Sequence, residues 1–137
     1  MEKAACRILT VDDHRLSLRL VQQHLEILGF TNIETASDGE VAWKRMEAES
    51  FDIVILDWAM PVKNGMTFLK ECRAQKKFDH IAMIMLSAEM QPEMIDEAMK
   101  AGANAYIVKP MTQSIFKENM DNVLMWIEKN REKVQHG

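Results

Sequence analysis

The chain reads as an α/β domain, an open, doubly wound parallel sheet of five strands with five helices on its two faces, and three observations predict it. Short β-branched apolar runs alternate along the whole length with longer segments whose apolar residues recur at helical spacing, which is the pattern of strand–helix units. Turn and capping residues punctuate the alternation. The runs also end in chemistry: Asp12-Asp13 after the first, Asp57 closing the third, Ser87 after the fourth and Lys109-Pro110 after the fifth. Groups at the ends of parallel strands collect along one edge of the sheet, where open α/β sheets bind their ligands.

Residues 7–11 (Arg-Ile-Leu-Thr-Val) are predicted as the first strand. After the two acids, Leu16, Leu20, Val21, His24, Leu25 and Leu28 recur at helical spacing and mark a helix that Gly29 ends. Residues 32–36 make a short second strand, and Ser37-Asp38-Gly39 opens a helix through Val41, Ala42, Trp43 and Met46. The third strand is 52–57. Beyond Pro61, Asn64-Gly65 turns the chain into a helix bearing Met66, Phe68, Leu69 and Cys72. Residues 81–86 form the fourth strand. Pro92 then sits near a helix start, where its missing N–H is harmless, and that helix runs to about Lys100 and stops at Gly102. Residues 104–108 give the fifth strand. A last helix begins near Thr112, with Ile115, Val123, Leu124 and Ile127 on its packed side, and enters a polar stretch whose final turn is expected to fray.

At 137 residues the length suits one ordinary domain with a real core. The apolar fraction of 47% and charged fraction of 28% are those of a soluble globular protein, and no apolar stretch approaches the roughly 20 residues of a spanning helix. The segment from Met1 to Arg7 lacks the apolar core of a signal peptide, so a cytoplasmic location without membrane attachment is expected. Cys6 and Cys72 match no paired metal spacing and are expected as reduced thiols. A net charge of -4 with thinly spread Lys and Arg argues against direct nucleic-acid binding.

Taken singly, an Asp-Asp pair is more often a turn or cap, a strand-end Asp a cap, and Lys-Pro an exposed corner. Together, Val-Asp-Asp, Ile-Leu-Asp-Trp-Ala-Met-Pro, Leu-Ser-Ala and Tyr-Ile-Val-Lys-Pro, in this order and spacing, resemble the receiver domain of bacterial two-component response regulators, and most of all its CheY-like single-domain chemotaxis members. The resemblance covers residues 7 to about 128, giving a receiver domain over 1–128 and a polar C-terminal tail over 129–137. It implies a three-layer, flavodoxin-like sheet in the order 2-1-3-4-5. It also implies a phosphorylation-activated switch rather than an enzyme acting on a metabolite, with a histidine kinase as donor.

The residues support the same chemistry. A carboxylate can take a phosphoryl group as an acyl phosphate, and Asp57 is the acid with a long buried strand behind it. Hard oxygen donors at strand ends suit Mg²⁺, with Asp13 and Asp57 as direct ligands and Asp12 acting through water. The resemblance adds the Ala59 backbone carbonyl as a ligand and a cis bond before Pro110. Lys109 is expected to pair with the phosphoryl oxygens and Ser87 to donate to them. Ser87 and Tyr106 form the expected switch pair, and Ile95, Met99, Tyr106 and Met111 a partner-binding apolar patch. The partner is a downstream target protein or a histidine phosphotransfer protein, and the chain is expected to be a monomer.

Two positions depart from the chemotaxis pattern: Ala59 replaces a polar residue, and Glu89 lies two after Ser87. His14 is expected at a helix start facing solvent, rather than as a phosphorelay histidine or metal ligand, and His24, His80 and His136 without chemical neighbours. A haloacid dehalogenase-type phosphohydrolase would need an acid where Ala59 stands. A flavodoxin would need a hydroxyl- and Gly-rich loop where Asp12-Asp13-His14-Arg15 stands. A receiver that forms part of a longer regulator or hybrid kinase, a phosphorelay intermediate and a phosphate sink stay open, although the Met1 start and short tail favour a stand-alone protein.

Overall fold

The computed structural model describes residues 2–60 and 63–136, with side chains of the last helix described through Arg131. Pro61 and the side chain of His136 therefore lie outside the described residues, and the final turn expected to fray is described in its backbone alone, as helix to His136. A single 3₁₀ turn, Lys3–Ala5, precedes the alternation. Strands β1 (Arg7–Val11), β2 (Asn32–Ala36), β3 (Ile53–Asp57), β4 (Ala82–Ser87) and β5 (Ala105–Val108) alternate with helices α1 (Arg15–Leu28), α2 (Gly39–Ala48), α3 (Gly65–Arg73), α4 (Pro92–Lys100) and α5 (Gln113–His136). All strand pairs are parallel, in the order β2-β1-β3-β4-β5.

The local chemistry explains the boundaries. Asp38 caps α2 by accepting the Val41 N–H at 2.9 Å, and Asn64 caps α3 through the Thr67 N–H at 2.9 Å. Thr112 does the same for α5 through the Ile115 N–H at 3.1 Å. Gly29 ends α1 in the left-handed region at φ 102°, a conformation that glycine adopts without penalty.

Because side chains alternate across a strand, each strand feeds two cores. Ile8, Ile53, Ile55, Ala82, Ile84 and Leu86 pack toward α1 and α5 with Val21, Leu25, Phe116 and Met120. Leu9, Val11, Val54, Leu56, Met83 and Met85 pack toward the other three helices with Ala42, Met46, Phe68, Leu69 and Ala98. The result is three layers. The central strands β3 and β4 are buried at every position, as a strand covered on both faces must be.

Two helix faces differ from the sequence reading. Leu16 and Leu20 are exposed, and α1 is anchored by Val21 and Leu25 instead. Residues 16, 20 and 27 line one apolar stripe and 21, 25 and 28 another about 125° around the helix, so periodicity alone offered both. Ile115 is likewise exposed, and Phe116, Met120, Val123 and Ile127 make the buried stripe of α5. The polar stretch expected as a tail continues α5, and Arg131 reaches Asp52 at 2.6 Å, while Asp52 also accepts the Arg7 N–H at 2.8 Å. His24, expected without neighbours, is held between helices: its Nδ1 meets Gln113 Oε1 and its ring stacks on Phe116.

Cys6 and Cys72 are buried free thiols, as expected, and burial pushes both up to about 12, far from thiolate reactivity. At the sheet edge opposite the acids, the Arg73 guanidinium donates to the carbonyls of Gly102, Phe78 and Ile81 and to Asn104 Oδ1, all at 2.8–3.1 Å, which ties the loops there together.

Candidate functional site

Sheet register assembles the site. Val11 pairs with Leu56, so Asp12 and Asp57 each follow a matched pair and leave the sheet side by side. Asp57 pairs with Leu86, which places Ser87 one residue beyond it, and Ser87 pairs with Val108, the residue before Lys109. Four positions distant in sequence thus reach one edge because strands of a parallel sheet end together. Backbone bonds fix the exits: Trp58 N–H to the Leu86 carbonyl at 2.9 Å, Lys109 N–H to the Ser87 carbonyl at 2.8 Å.

Lys109 is the hub. Its Nζ lies 3.1 Å from Asp57 Oδ1, 3.4 Å from Asp12 Oδ2 and 3.1 Å from Ser17 Oγ. The Asp57 side chain is 9% exposed and that of Asp12 5%, so both carboxylates are scarcely hydrated. Burial pushes the Asp57 carboxyl above its usual range; Lys109 opposes this, and Asp12 and Asp13 add to it by repulsion. Asp12 moves the other way. Burial disfavours its charge too, but hydrogen bonds from Ser17 and the His14 N–H, followed by Lys109, outweigh that and hold it below the carboxylate range. One site therefore holds a reluctant carboxylate beside a willing one.

Asp13 is more open, and one carboxylate oxygen each from Asp12, Asp13 and Asp57 lies within 4.8 Å of the others. That spread fits one coordination sphere of a small cation. Three carboxylates face one ammonium there, so the donor set matches a hard divalent cation such as Mg²⁺. His14 belongs to the same group. Its ring is open to solvent, as expected, yet its Nδ1 stands 3.1 Å from Asp13 Oδ1 and 3.4 Å from Asp12 Oδ1.

The loop after β3 is shaped by Gly65, whose N–H donates to the Trp58 carbonyl at 2.8 Å. A Cβ at Gly65 would stand 2.6 Å from the Asp57 carbonyl oxygen, so only glycine lets α3 start this close to the acid. Ala59 is exposed in that loop. The Lys109–Pro110 bond is cis, as the resemblance implies.

Ser87 is buried, and its Oγ accepts the Glu89 N–H at 3.0 Å. The Tyr106 hydroxyl donates to the Glu89 carbonyl at 3.0 Å, and its ring lies edge-on to Trp58, 6.3 Å between centroids. Of the expected patch, Tyr106 packs with the α2, α3 and α4 core whereas Met111 packs with the α1 and α5 core, beside a cavity of about 430 Å³ that Ser17, Leu20, His24 and Lys109 also line. Met111 therefore does not share a face with Tyr106. Met99 on α4 is exposed and Ile95 half-buried.

Two features escape a reading of the sequence. Ser17 stands in the first turns of α1, four residues after Asp13, a spacing that brings it back over the acids; that is its signal. The part played by Glu89 is made by its backbone and leaves no trace in residue type.

The family described as response regulator receiver domain matches residues 8–121 of this chain. Chemotaxis protein CheY-3 of Vibrio cholerae is 41% identical over 117 residues, which cover 85% of this chain and 90% of that protein. Among solved structures, the chemotaxis response regulator CheY4 of Vibrio cholerae is similar with a TM-score of 0.78 at 31% identity, over 86% of this chain and 98% of that one. The CheX–CheY–BeF₃–Mg²⁺ complex of Borrelia burgdorferi is similar with a TM-score of 0.78 at 30% identity, over 87% and 89% of the two chains.

Proposed function

The chain belongs to the response regulator receiver domain family of two-component signalling, and from that premise we propose that it is a CheY-like switch set by transfer of a phosphoryl group from a histidine kinase to Asp57. The observation that carries the reading is the 3.1 Å contact between Lys109 Nζ and the buried Asp57 Oδ1, beside a second carboxylate at the same sheet edge.

An Asp57 oxygen forms the new P–O bond as the bond from phosphorus to the donor breaks, its electron pair leaving with the donor. Lys109 follows the charge: the ammonium now held by Asp57 and Asp12 pairs with the phosphoryl oxygens as a point charge. Ser87 turns its hydroxyl to the same oxygens. Asp13, Asp57 and the Ala59 carbonyl would hold Mg²⁺ directly and Asp12 through water, and the ion would supply charge neutralisation for the incoming group. The raised Asp57 carboxyl supports this assignment, because the fold disfavours its bare charge and any added positive charge is thereby favoured.

The output is a population shift. Drawing Ser87 toward the phosphoryl group loosens its link through Glu89 to Tyr106, so the α4–β5 surface with Ile95, Met99 and Tyr106 changes shape for a downstream protein. The Borrelia CheY found with CheX, beryllofluoride and Mg²⁺ supports a protein partner for the activated form. No described helix is long and apolar enough to cross a membrane. The reading takes 1–128 as the receiver domain, acting in the cytoplasm as a monomer and turning over no metabolite of its own.

Treatment with acetyl phosphate in Mg²⁺, followed by intact-mass and peptide mass spectrometry, tests the proposal. One phosphoryl group on the Asp57 peptide, lost in Asp57→Asn and abolished by chelation, is the expected result; a group elsewhere, or none, overturns it.

A further inference from the structure

We propose that His14 is a nitrogen donor at the mouth of the acidic pocket and gives this receiver a preference for divalent transition ions over Mg²⁺. The inference rests on the preceding reading that Asp12, Asp13 and Asp57 hold a divalent cation, and deepens it by naming which cations are favoured.

The geometry is specific. One nitrogen of His14 and one oxygen from each of the three acids all lie within 4.8 Å of one another, so a single ion can touch all four. The backbone places the residue: the His14 N–H donates to Asp12 Oδ1 at 3.0 Å, which fixes the start of α1 over the acid pair. Among the described residues the imidazole serves no other contact of the fold. It makes no capping bond to α1 and is 72% exposed, yet its Nδ1 is turned toward two carboxylates. Lys109 is committed to the inner side of the pocket, with Asp57, Asp12 and Ser17, and His14 stands on the open side by Asp13. A cation entering past Asp13 therefore meets the imidazole.

The chemistry then discriminates. Mg²⁺ takes oxygen ligands and keeps several of its waters, so it satisfies itself on the carboxylates and gains little from a nitrogen. Mn²⁺, Co²⁺ and Ni²⁺ accept imidazole with increasing affinity along the series, and each would exchange one water for His14 Nδ1. An aromatic ring without nitrogen, His14→Phe, removes the donor while the three acids stay.

Trp58, next to Asp57, supplies the readout. Quenching titrations of the full chain with MgCl₂, MnCl₂ and NiCl₂ are compared in wild type, His14→Phe and Asp13→Asn. Expected are a loss of ~10-fold or more in Ni²⁺ affinity for His14→Phe, the scale on which disturbing a metal site acts, a smaller loss for Mn²⁺, and Mg²⁺ affinity within about twofold of wild type. Pulsed EPR of the Mn²⁺-loaded protein should show imidazole nitrogen coupling in wild type and none in His14→Phe. Equal changes for Mg²⁺ and Ni²⁺, or identical nitrogen coupling in both proteins, would overturn the role of His14 alone. If wild type bound no divalent cation, or Asp13→Asn left all three affinities unchanged, the acidic site itself would be wrong and this inference would fall with it.

Discussion

Ser87 and Tyr106 are joined through one residue: the Ser87 Oγ accepts the Glu89 N–H and the Tyr106 hydroxyl donates to the Glu89 carbonyl, both at 3.0 Å. The buried serine and the half-buried tyrosine are thus two ends of one backbone link. Tyr106→Phe cuts that link at a net cost of about 0.5–1.5 kcal/mol and leaves the acids untouched. Phosphorylation of Asp57 should proceed as in wild type, while the beryllofluoride-induced change in Trp58 emission falls by more than half. A full-sized emission change in Tyr106→Phe would remove Tyr106 from the switch.

Asp57 and Asp12 pull stability in opposite directions with pH. The folded-state value of Asp57 is raised, chiefly by burial, so its contribution is full below the ordinary carboxylate value and is lost as pH rises through the folded value. Burial opposes the Asp12 charge as well, but the Ser17, His14 and Lys109 contacts win and depress its value, so its contribution is present above the ordinary value and is lost as pH falls through the depressed one. In chelator, Asp57→Asn should raise the melting temperature by a few degrees near pH 7. It should also steepen the loss of stability on acidification, because the opposing group is gone. Thermal melts from pH 7 to pH 3 read both; a variant less stable than wild type at pH 7 contradicts the assignment.

Ser17 supports the Lys109 ammonium at 3.1 Å and shares Asp12 with it. Ser17→Ala should cost about 1–2 kcal/mol in urea unfolding, a hydrogen bond to a charged group being worth somewhat more than a neutral one. Its acid-induced loss of stability should begin at higher pH, since Asp12 loses a bond that lowers it. Ser17→Thr should restore most of both.

Gly65→Ala ordinarily favours a helix, but here the new Cβ meets the Asp57 carbonyl oxygen at 2.6 Å and the Trp58 Cα at 3.0 Å. Overpacking against backbone should win and cost about 1–3 kcal/mol. The displaced loop carries the Ala59 carbonyl, so divalent-cation quenching of Trp58 should weaken along with stability. Wild-type cation affinity in Gly65→Ala would separate this loop from the site.

Ala59 is exposed beside the acceptor and leaves water a clear path to an acyl phosphate on Asp57. Ala59→Met should shield it and slow its decay several-fold, measured as the fall of phosphorylated protein on a phosphate-affinity gel after the donor is removed. An unchanged or faster decay rules out the shielding idea.

Much of this protein is legible in its residues alone. Asp38 and Asn64 announce their helices because capping is a local bond between a side chain and a backbone N–H a few residues on. Fully apolar runs such as 53–56 announce central strands because a strand covered on both faces has no polar side to show. The acids at 12, 13 and 57 and the ammonium at 109 can be gathered from their positions in the chain, since parallel strands end at one edge.

What the chain could not declare is rotation and partnership. Leu16 or Val21 toward the sheet, Ile115 or Phe116 toward the core, are choices between neighbouring stripes of one helix, and only the packed neighbours decide them. The opposite shifts of Asp12 and Asp57, two aspartates of one type, come from a hydroxyl, an N–H and an ammonium that folding delivers to one of them more than to the other. Residue type fixes which charges exist; three-dimensional proximity fixes what each charge costs, and the chemistry of the site lies in that difference.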